Sequence, residues 1–351
     1  MPNKTALVTG GNGFVGCHVV RALLARGDRV RVLVRDGADL RALEGLDCER
    51  AVGDVRDAAA VERAAHRCAE IYHLAADYRL WVLDEAPMYA ANLDGTRHVL
   101  EAARRAGAEL VVHTSTVGTL GIPKGGPGRE DSPVSLADMV GPYKRSKFMA
   151  EQAALAAARE GLRVVIVNPS TPIGALDLKP TPTGRIILDF LKHRMPAYVD
   201  TGLNLVDVED VAQGHLLAAE RGRAGERYIL GGEDLTLAEF FARLAALSGL
   251  RAPRVKIPYS IAYGFALGAE AVARTITKRP PRASLTEVRM ARKKMFFDSA
   301  KAIAELGYAP GPLDDGLARG ELPGSDRELL ADVAKADAVG VDPDGGLSRR
   351  E

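Results

Sequence analysis

The chain has 351 residues, 47% of them hydrophobic, enough for one large or two unequal domains with a substantial core. Lys and Arg, 47, nearly cancel Asp and Glu, 46, so no global field draws the chain to nucleic acid or an anionic membrane, and a charged ligand must be met locally. Cys17, Cys48 and Cys68 are odd in number and widely spaced, no His stands three or four residues from another, and no run reaches the roughly 18 apolar residues of a span; these features argue against a disulfide framework, a metal site and a membrane span.

The opening "MPNKTALVTGGNGFVG" leads directly into a glycine loop, with no secretory leader, so a cytoplasmic protein is expected. "TALVT" reads as a strand and Phe14 to Arg26 as a helix. Between them Gly10, Gly13 and Gly16 stand three apart. Backbone N–H groups at such a helix start, free of side chains, can approach a pyrophosphate. A tight strand-to-helix turn would use the same glycines, but the βαβ context favours a dinucleotide, with Phe14 and Val15 entering its contact surface.

The second strand, "RVRVLV", ends at Arg35 and Asp36. An acid there would hold a ribose 2′-hydroxyl and an Arg a 2′-phosphate; Arg35 comes first, which favours NADP(H) over NAD(H). A helix near Leu40 and the strand "ERAV" precede "VGDVRD", where Asp54 and the Val55 backbone are placed to meet an adenine edge or to form a turn; both readings stay open. A helix from Asp57 to Arg67, the strand "EIYHLA", a loop carrying Trp81, a helix from Pro87 to Arg105 and the strand "ELVVHTS" follow. A helix beginning at Gly141 and the strand "LRVVIVNPS" complete six strands of an α/β, doubly wound parallel sheet of Rossmann type.

Beyond Pro169 the alternation fails, and a smaller, mostly helical C-terminal substrate domain is expected. Its segments are about 171–204, with a helix near Arg185 to His193, and 233–320, with a short strand at "RVKIP". Residues 1–170 plus about 205–232 make the dinucleotide domain, the latter as strand, helix, strand. Residues 321–351 read as a mobile tail.

The helix at Gly141 carries Tyr143 four residues before Lys147, so phenol and ammonium share one face. Surface packing explains such a pair equally well when taken alone. The set "TGGNGFVG", "GDVRD", "HLAA", "NLDGT", "TST" and Tyr143-x-x-x-Lys147, in this order, resembles the extended short-chain dehydrogenase/reductase family. Within it, "AADYRLW", "YKRSKFMAE", "VNPSTPIG" and "KPTPTGRIILDFL" are most similar to the hopanoid-associated sugar epimerase group, close to dihydroflavonol-4-reductase-like proteins.

The resemblance implies Tyr143 as general acid/base, Lys147 lowering its pKa and binding the nicotinamide ribose, and Thr116, or adjacent Ser115, polarising the substrate oxygen. Ala75 and Ala76, Asn92, and Pro169 with Ser170 join the cofactor side, Asn92 being equally explained by packing. Tyr78, Arg79, Trp81, Thr181, Arg185 and Asn204 are expected beside a sugar-bearing or polycyclic small-molecule substrate. The implied activity is hydride transfer to or from a carbonyl or hydroxyl; transient-oxidation epimerase or dehydratase chemistry is the alternative, and a non-catalytic dinucleotide-binding protein the third reading. Sugar-nucleotide epimerases of the family often carry Arg in a segment corresponding to "LNLVDV", which has none here, so reduction is favoured. A homodimer through the Tyr143 helix is a further implication, although its Ala richness also suits burial within one chain.

Overall fold

The computed structural model describes residues 4–319. Strand β1 (Thr5–Thr9) leads into helix α1 (Phe14–Arg26), β2 (Arg29–Val34), β3 (Glu49–Val52), α2 (Ala58–Ala65) and β4 (Glu70–His73). Helices α3 (Ala86–Tyr89) and α4 (Gly95–Ala106) precede β5 (Leu110–Thr114), α5 (Gly141–Arg159) and β6 (Val164–Pro169). The second half comprises β7 (Thr171–Ile173), α6 (Pro182–Leu191), β8 (Ala197–Val199), β9 (Gly202–Asp207), α7 (Val208–Arg221), β10 (Arg227–Leu230), β11 (Glu233–Thr236) and α8 (Leu237–Ser248). It closes with β12 (Val255–Ile257), α9 (Tyr259–Val272), α10 (Leu285–Met290), α11 (Ala300–Leu306) and α12 (Leu313–Arg319).

Seven parallel strands form the main sheet in the order β10-β6-β5-β4-β1-β2-β3. Strand order reverses between β1 and β4, which opens a crevice at the carboxyl ends of the strands where ligands of such sheets bind. Both faces are covered, so the strands read as near-continuous apolar runs. On one face Val8, Val32, Val112 and Val167 pack with Val19 and Leu23 of α1 and Val211 of α7; on the other Leu7, Ile71, Val111 and Ile166 pack with α2, α4 and α5. A third cluster, including Ile187, Phe190, Leu205, Phe240, Phe241 and Leu313, gives the C-terminal region its own core.

Three expectations need correction. The strand in "LNLVD" does not return to the main sheet: β9 pairs with β7 and, antiparallel, with β11 in a separate three-stranded sheet, while α7 and β10 rejoin the large layer. The segment near Leu40 is a single 3-10 turn, Arg41–Leu43. The helix expected from Pro87 to Arg105 runs as α3 and α4 joined by a π turn, Ala90–Asp94. The expected tail, 321–351, lies outside the described residues. Cys17 and Cys68 are buried and Cys48 half-buried, all as free thiols.

Candidate active site

Helix α1 begins after Gly13, an N-cap without a side chain that leaves the first-turn N–H groups without a side-chain capping partner, and no acidic residue occupies that turn. A Cβ on Gly10, which has φ +73°, would fall 2.7 Å from the Ala75 nitrogen, and one on Gly16 only 2.1 Å from the Gly10 carbonyl oxygen. Only glycine lets the loop close this tightly, and Gly13 N–H donates to the Gly10 carbonyl at 2.9 Å. Phe14 and Val15 are half-buried at the helix start, and Ala75 N–H donates to Thr9 Oγ1 at 3.3 Å. An uncapped helix start with no side chain in front of it fits the diphosphate of a dinucleotide.

At the tip of β2, Arg35 is exposed, and its charge reaches Asp54. Asp54 accepts from the Arg56 backbone N–H at 2.9 Å and pairs with its guanidinium at 2.8 Å, which holds the carboxyl below its usual range. The Val55 carbonyl accepts from His98 Nδ1 at 2.9 Å. These contacts hold the turn after β3 in place. Ala76 is half-buried beside Ala75, and Ser170 Oγ is buried with no hydrogen-bond partner in the loop after β6.

The Tyr143–Lys147 pair starts α5, and Gly141, at φ +81°, sets the helix against Thr286 of α10, to which a Cβ would come within 2.7 Å. Lys147 is 4% exposed and donates to the Thr114 carbonyl at 2.7 Å, which fixes the ammonium at the end of β5. Burial lowers its pKa to about 8, partly opposed by the Glu151 carboxylate. Burial raises the Tyr143 phenol to about 12, and hydrogen bonding with the Thr116 side chain works in the opposite direction. Thr116 also caps a 3-10 turn by accepting from Gly118 N–H at 3.1 Å. Phenol and hydroxyl thus meet where β5 ends, with the Lys147 ammonium anchored on the nearby Thr114 carbonyl; burial, not the expected Lys147 charge, governs the phenol.

Sequence reasoning missed what holds this group in place. Glu151, two turns after Tyr143 and fully buried, accepts from Ser115 and Thr119, the latter at 2.8 Å, from Asn168 Nδ2 at 2.9 Å and from Arg227 at 3.3 Å. Asn168 also donates to the Thr116 carbonyl at 3.0 Å. The Ser115 hydroxyl is therefore committed to Glu151, which leaves Thr116 as the one beside the phenol. Asn92 lies in the π turn, bonds both the N–H and carbonyl of Asp77 at 2.7 and 2.9 Å and donates to Ser146 at 2.9 Å, so it ties the loop after β4 to α5. Glu151 shares the helix face of Tyr143 and Lys147, and that spacing was the available signal.

Two buried imidazoles lie under the pair. His73 bonds Thr9 at 2.7 Å and Thr96 at 2.9 Å, and its ring centroid is 5.4 Å from that of His113. Burial and the Lys147 charge lower His73 to about 3 and hold His113 well below its usual value. Both rings are neutral at working pH.

The expected substrate residues divide. Tyr78 donates to the Lys179 carbonyl at 3.1 Å and feels the charge of Arg185, so these three sit together between the loop after β4 and α6. Trp81 is half-buried, its Nε1 has no partner, and Arg274 lies 5.8 Å from its ring centroid. Arg79 is exposed and paired with Asp77 at 2.5 Å, and Thr181 caps α6 while donating to Asp177 at 2.8 Å. Asn204 departs from them: it is 1% exposed and bridges Gly232, Asp234 and Phe297, which fastens β9 to its neighbours.

Residues 6–231 match the NAD dependent epimerase/dehydratase family. A Synechocystis sp. protein named as a dihydroflavonol 4-reductase is 44% identical over 316 residues, covering 89% of this chain and 92% of that one. Sterol demethylase protein B of Methylococcus capsulatus is 38% identical over 307 residues, covering 87% and 94%. Among solved structures, a nucleoside-diphosphate-sugar epimerase from Pseudomonas aeruginosa superposes with a TM-score of 0.77 at 29% identity, covering 93% of this chain and 99% of that one.

Proposed function

The chain belongs to the NAD dependent epimerase/dehydratase family of extended short-chain dehydrogenases/reductases, an oxidoreductase with a nicotinamide dinucleotide, and from that premise we propose that it reduces a carbonyl of a sugar-bearing or polycyclic substrate with NADPH. The observation that carries the reading is the Tyr143 phenol bonded with Thr116 at the end of β5, where the buried Lys147 is anchored on the Thr114 carbonyl. When bound, the dinucleotide supplies a hydride to the carbonyl carbon.

The residues do the remainder. Gly10, Gly13 and Gly16 let the diphosphate reach the N–H groups of α1, and Arg35 takes the 2′-phosphate. Thr116 donates to the carbonyl oxygen and draws charge toward it. Tyr143, protonated because burial holds it near 12, transfers its proton to that oxygen. Lys147 stabilises the phenolate left behind, and Tyr78, Trp81 and Arg185 orient the substrate.

A second reading, epimerisation through transient oxidation, draws on the Pseudomonas aeruginosa structure. Against it, β9 offers no Arg for a nucleotide diphosphate, and its Asn204 is occupied by the backbone. Mass spectrometry of dinucleotide released from denatured fresh protein separates the two. Near-stoichiometric retained cofactor would overturn the reductase reading, because an epimerase keeps its reduced cofactor within each cycle. An exchangeable site binding added NADPH supports reduction. Arg35→Ala should then weaken NADPH about 10- to 100-fold and NADH little, as expected for loss of a charge-assisted phosphate contact.

A further inference from the structure

Among the described residues, helix α9 is the least covered long helix. Ile261, Phe265, Leu267, Val272 and, in the π turn that continues the helix (Ala273–Thr277), Ile276 are 46 to 74% exposed. At 100° per residue, Ile261, Phe265, Gly268, Val272 and Ile276 form one stripe, roughly 22 Å long at 1.5 Å per residue. Solitary exposed apolar residues need no explanation; a continuous stripe does.

Charge identifies what covers it. Between Tyr259 and Arg282 the one acidic residue is Glu270, and it is turned inward, 8% exposed, bonded to Leu285 N–H at 2.9 Å and to Arg274 at 2.9 Å. Beyond the helix come Lys278, Arg279 and Arg282, all exposed, and none has a carboxylate partner among the described residues. A stripe of apolar side chains leading into three cations without a carboxylate partner, Lys278 bonded only to the Arg274 carbonyl, with no acid facing outward, complements an anionic lipid surface. Pairing of this stripe with its own counterpart on a second copy would bring like charges together and leave these cations unneutralised. Among the described residues no helix is long and apolar enough to cross a membrane, so contact is with the surface.

We propose that α9 and the basic segment after it dock on an anionic phospholipid bilayer, the stripe at the acyl boundary and Lys278, Arg279 and Arg282 on headgroup phosphates. Arg274, stacked on Trp81, links this face to the rim of the candidate site. Docking therefore presents the site's edge to the bilayer.

The test is co-sedimentation of the full chain with mixed phosphatidylglycerol/phosphatidylcholine vesicles and with phosphatidylcholine alone, with oligomeric state followed by sedimentation velocity. The wild type should bind the mixed vesicles and lose binding in high salt or on phosphatidylcholine. Joint Lys278→Gln, Arg279→Gln and Arg282→Gln should weaken partition about 100-fold, and joint Phe265→Glu and Ile276→Glu should abolish it with an unchanged urea midpoint. Because Trp81 is the one Trp, brominated lipid should quench fluorescence of bound protein. Wild-type protein that ignores anionic vesicles overturns the proposal. So does a wild-type dimer that the Phe265 and Ile276 substitutions convert to monomer without any vesicle binding, which would assign the face to a second copy.

Discussion

Tyr143 and Phe differ by one oxygen, so Tyr143→Phe should remove the proton donor and little else. Turnover should fall by about 10³-fold with dinucleotide affinity held within about threefold, as measured by steady-state kinetics beside fluorescence titration. Unchanged turnover would exclude Tyr143 as the acid. A second prediction follows from Lys147, lowered from 10.5 to about 8. Its cation is present below that value and lost above it. In the free enzyme, kcat/KM for reduction should be level below about pH 7 and fall above about pH 8. Lys147→Arg, charged throughout, should remove that alkaline limb whatever its effect on the maximum, and a pH–rate profile of both forms reads it directly.

At the scale of elements, α5 is fastened to the β5 and β6 ends by one carboxylate. Glu151→Ala would strip Ser115, Thr119, Asn168 and Arg227 of a shared acceptor in a fully buried place. Stability should fall by about 3 kcal/mol, and Glu151→Gln, which keeps an acceptor oxygen, should lose less; urea midpoints compare them. Much of the framework was legible from pattern: α1 occupies the expected Phe14 to Arg26, because Gly13 and Gly27 mark its ends and the apolar period fills it. The π turn at Asn92 was not, since it depends on Asp77 and Ser146, distant in sequence, pulling one side chain inward. Nor was the partner of β9: alternating apolar residues announce a strand without saying which sheet receives it. Asn204 reads locally as a polar loop-facing residue, whereas partners on two distant segments, Gly232 and Asp234 on one and Phe297 on the other, bury it.

For the whole molecule, buried imidazoles set the response to acid. His73 is lowered from 6.5 to about 3, His215 from 6.5 to about 4, and His113 lies well below its usual value, each through burial. Below pH 6.5 the unfolded chain takes up protons that the folded chain refuses. Stability from these groups is therefore complete above about pH 6.5 and lost as pH falls toward 4, by up to three protons per molecule in slope. Lys144 and Lys147, both lowered to about 8, give the same sign at the alkaline end, with stability rising between about 8 and 10.5. Urea midpoints measured across pH 4 to 10 (about one unit apart) should trace both rises; a flat acid limb would mean that the imidazoles are hydrated.

The three free thiols look uninformative for chemistry, yet burial raises all of them, Cys17 to about 11. A thiol that holds its proton reacts slowly with alkylating reagents until the surrounding structure opens. Cys17 sits beneath the glycine loop and Cys68 just before β4, so the chain carries its own clocks: the rate at which each is labelled times the opening of its neighbourhood, with no probe added to the fold.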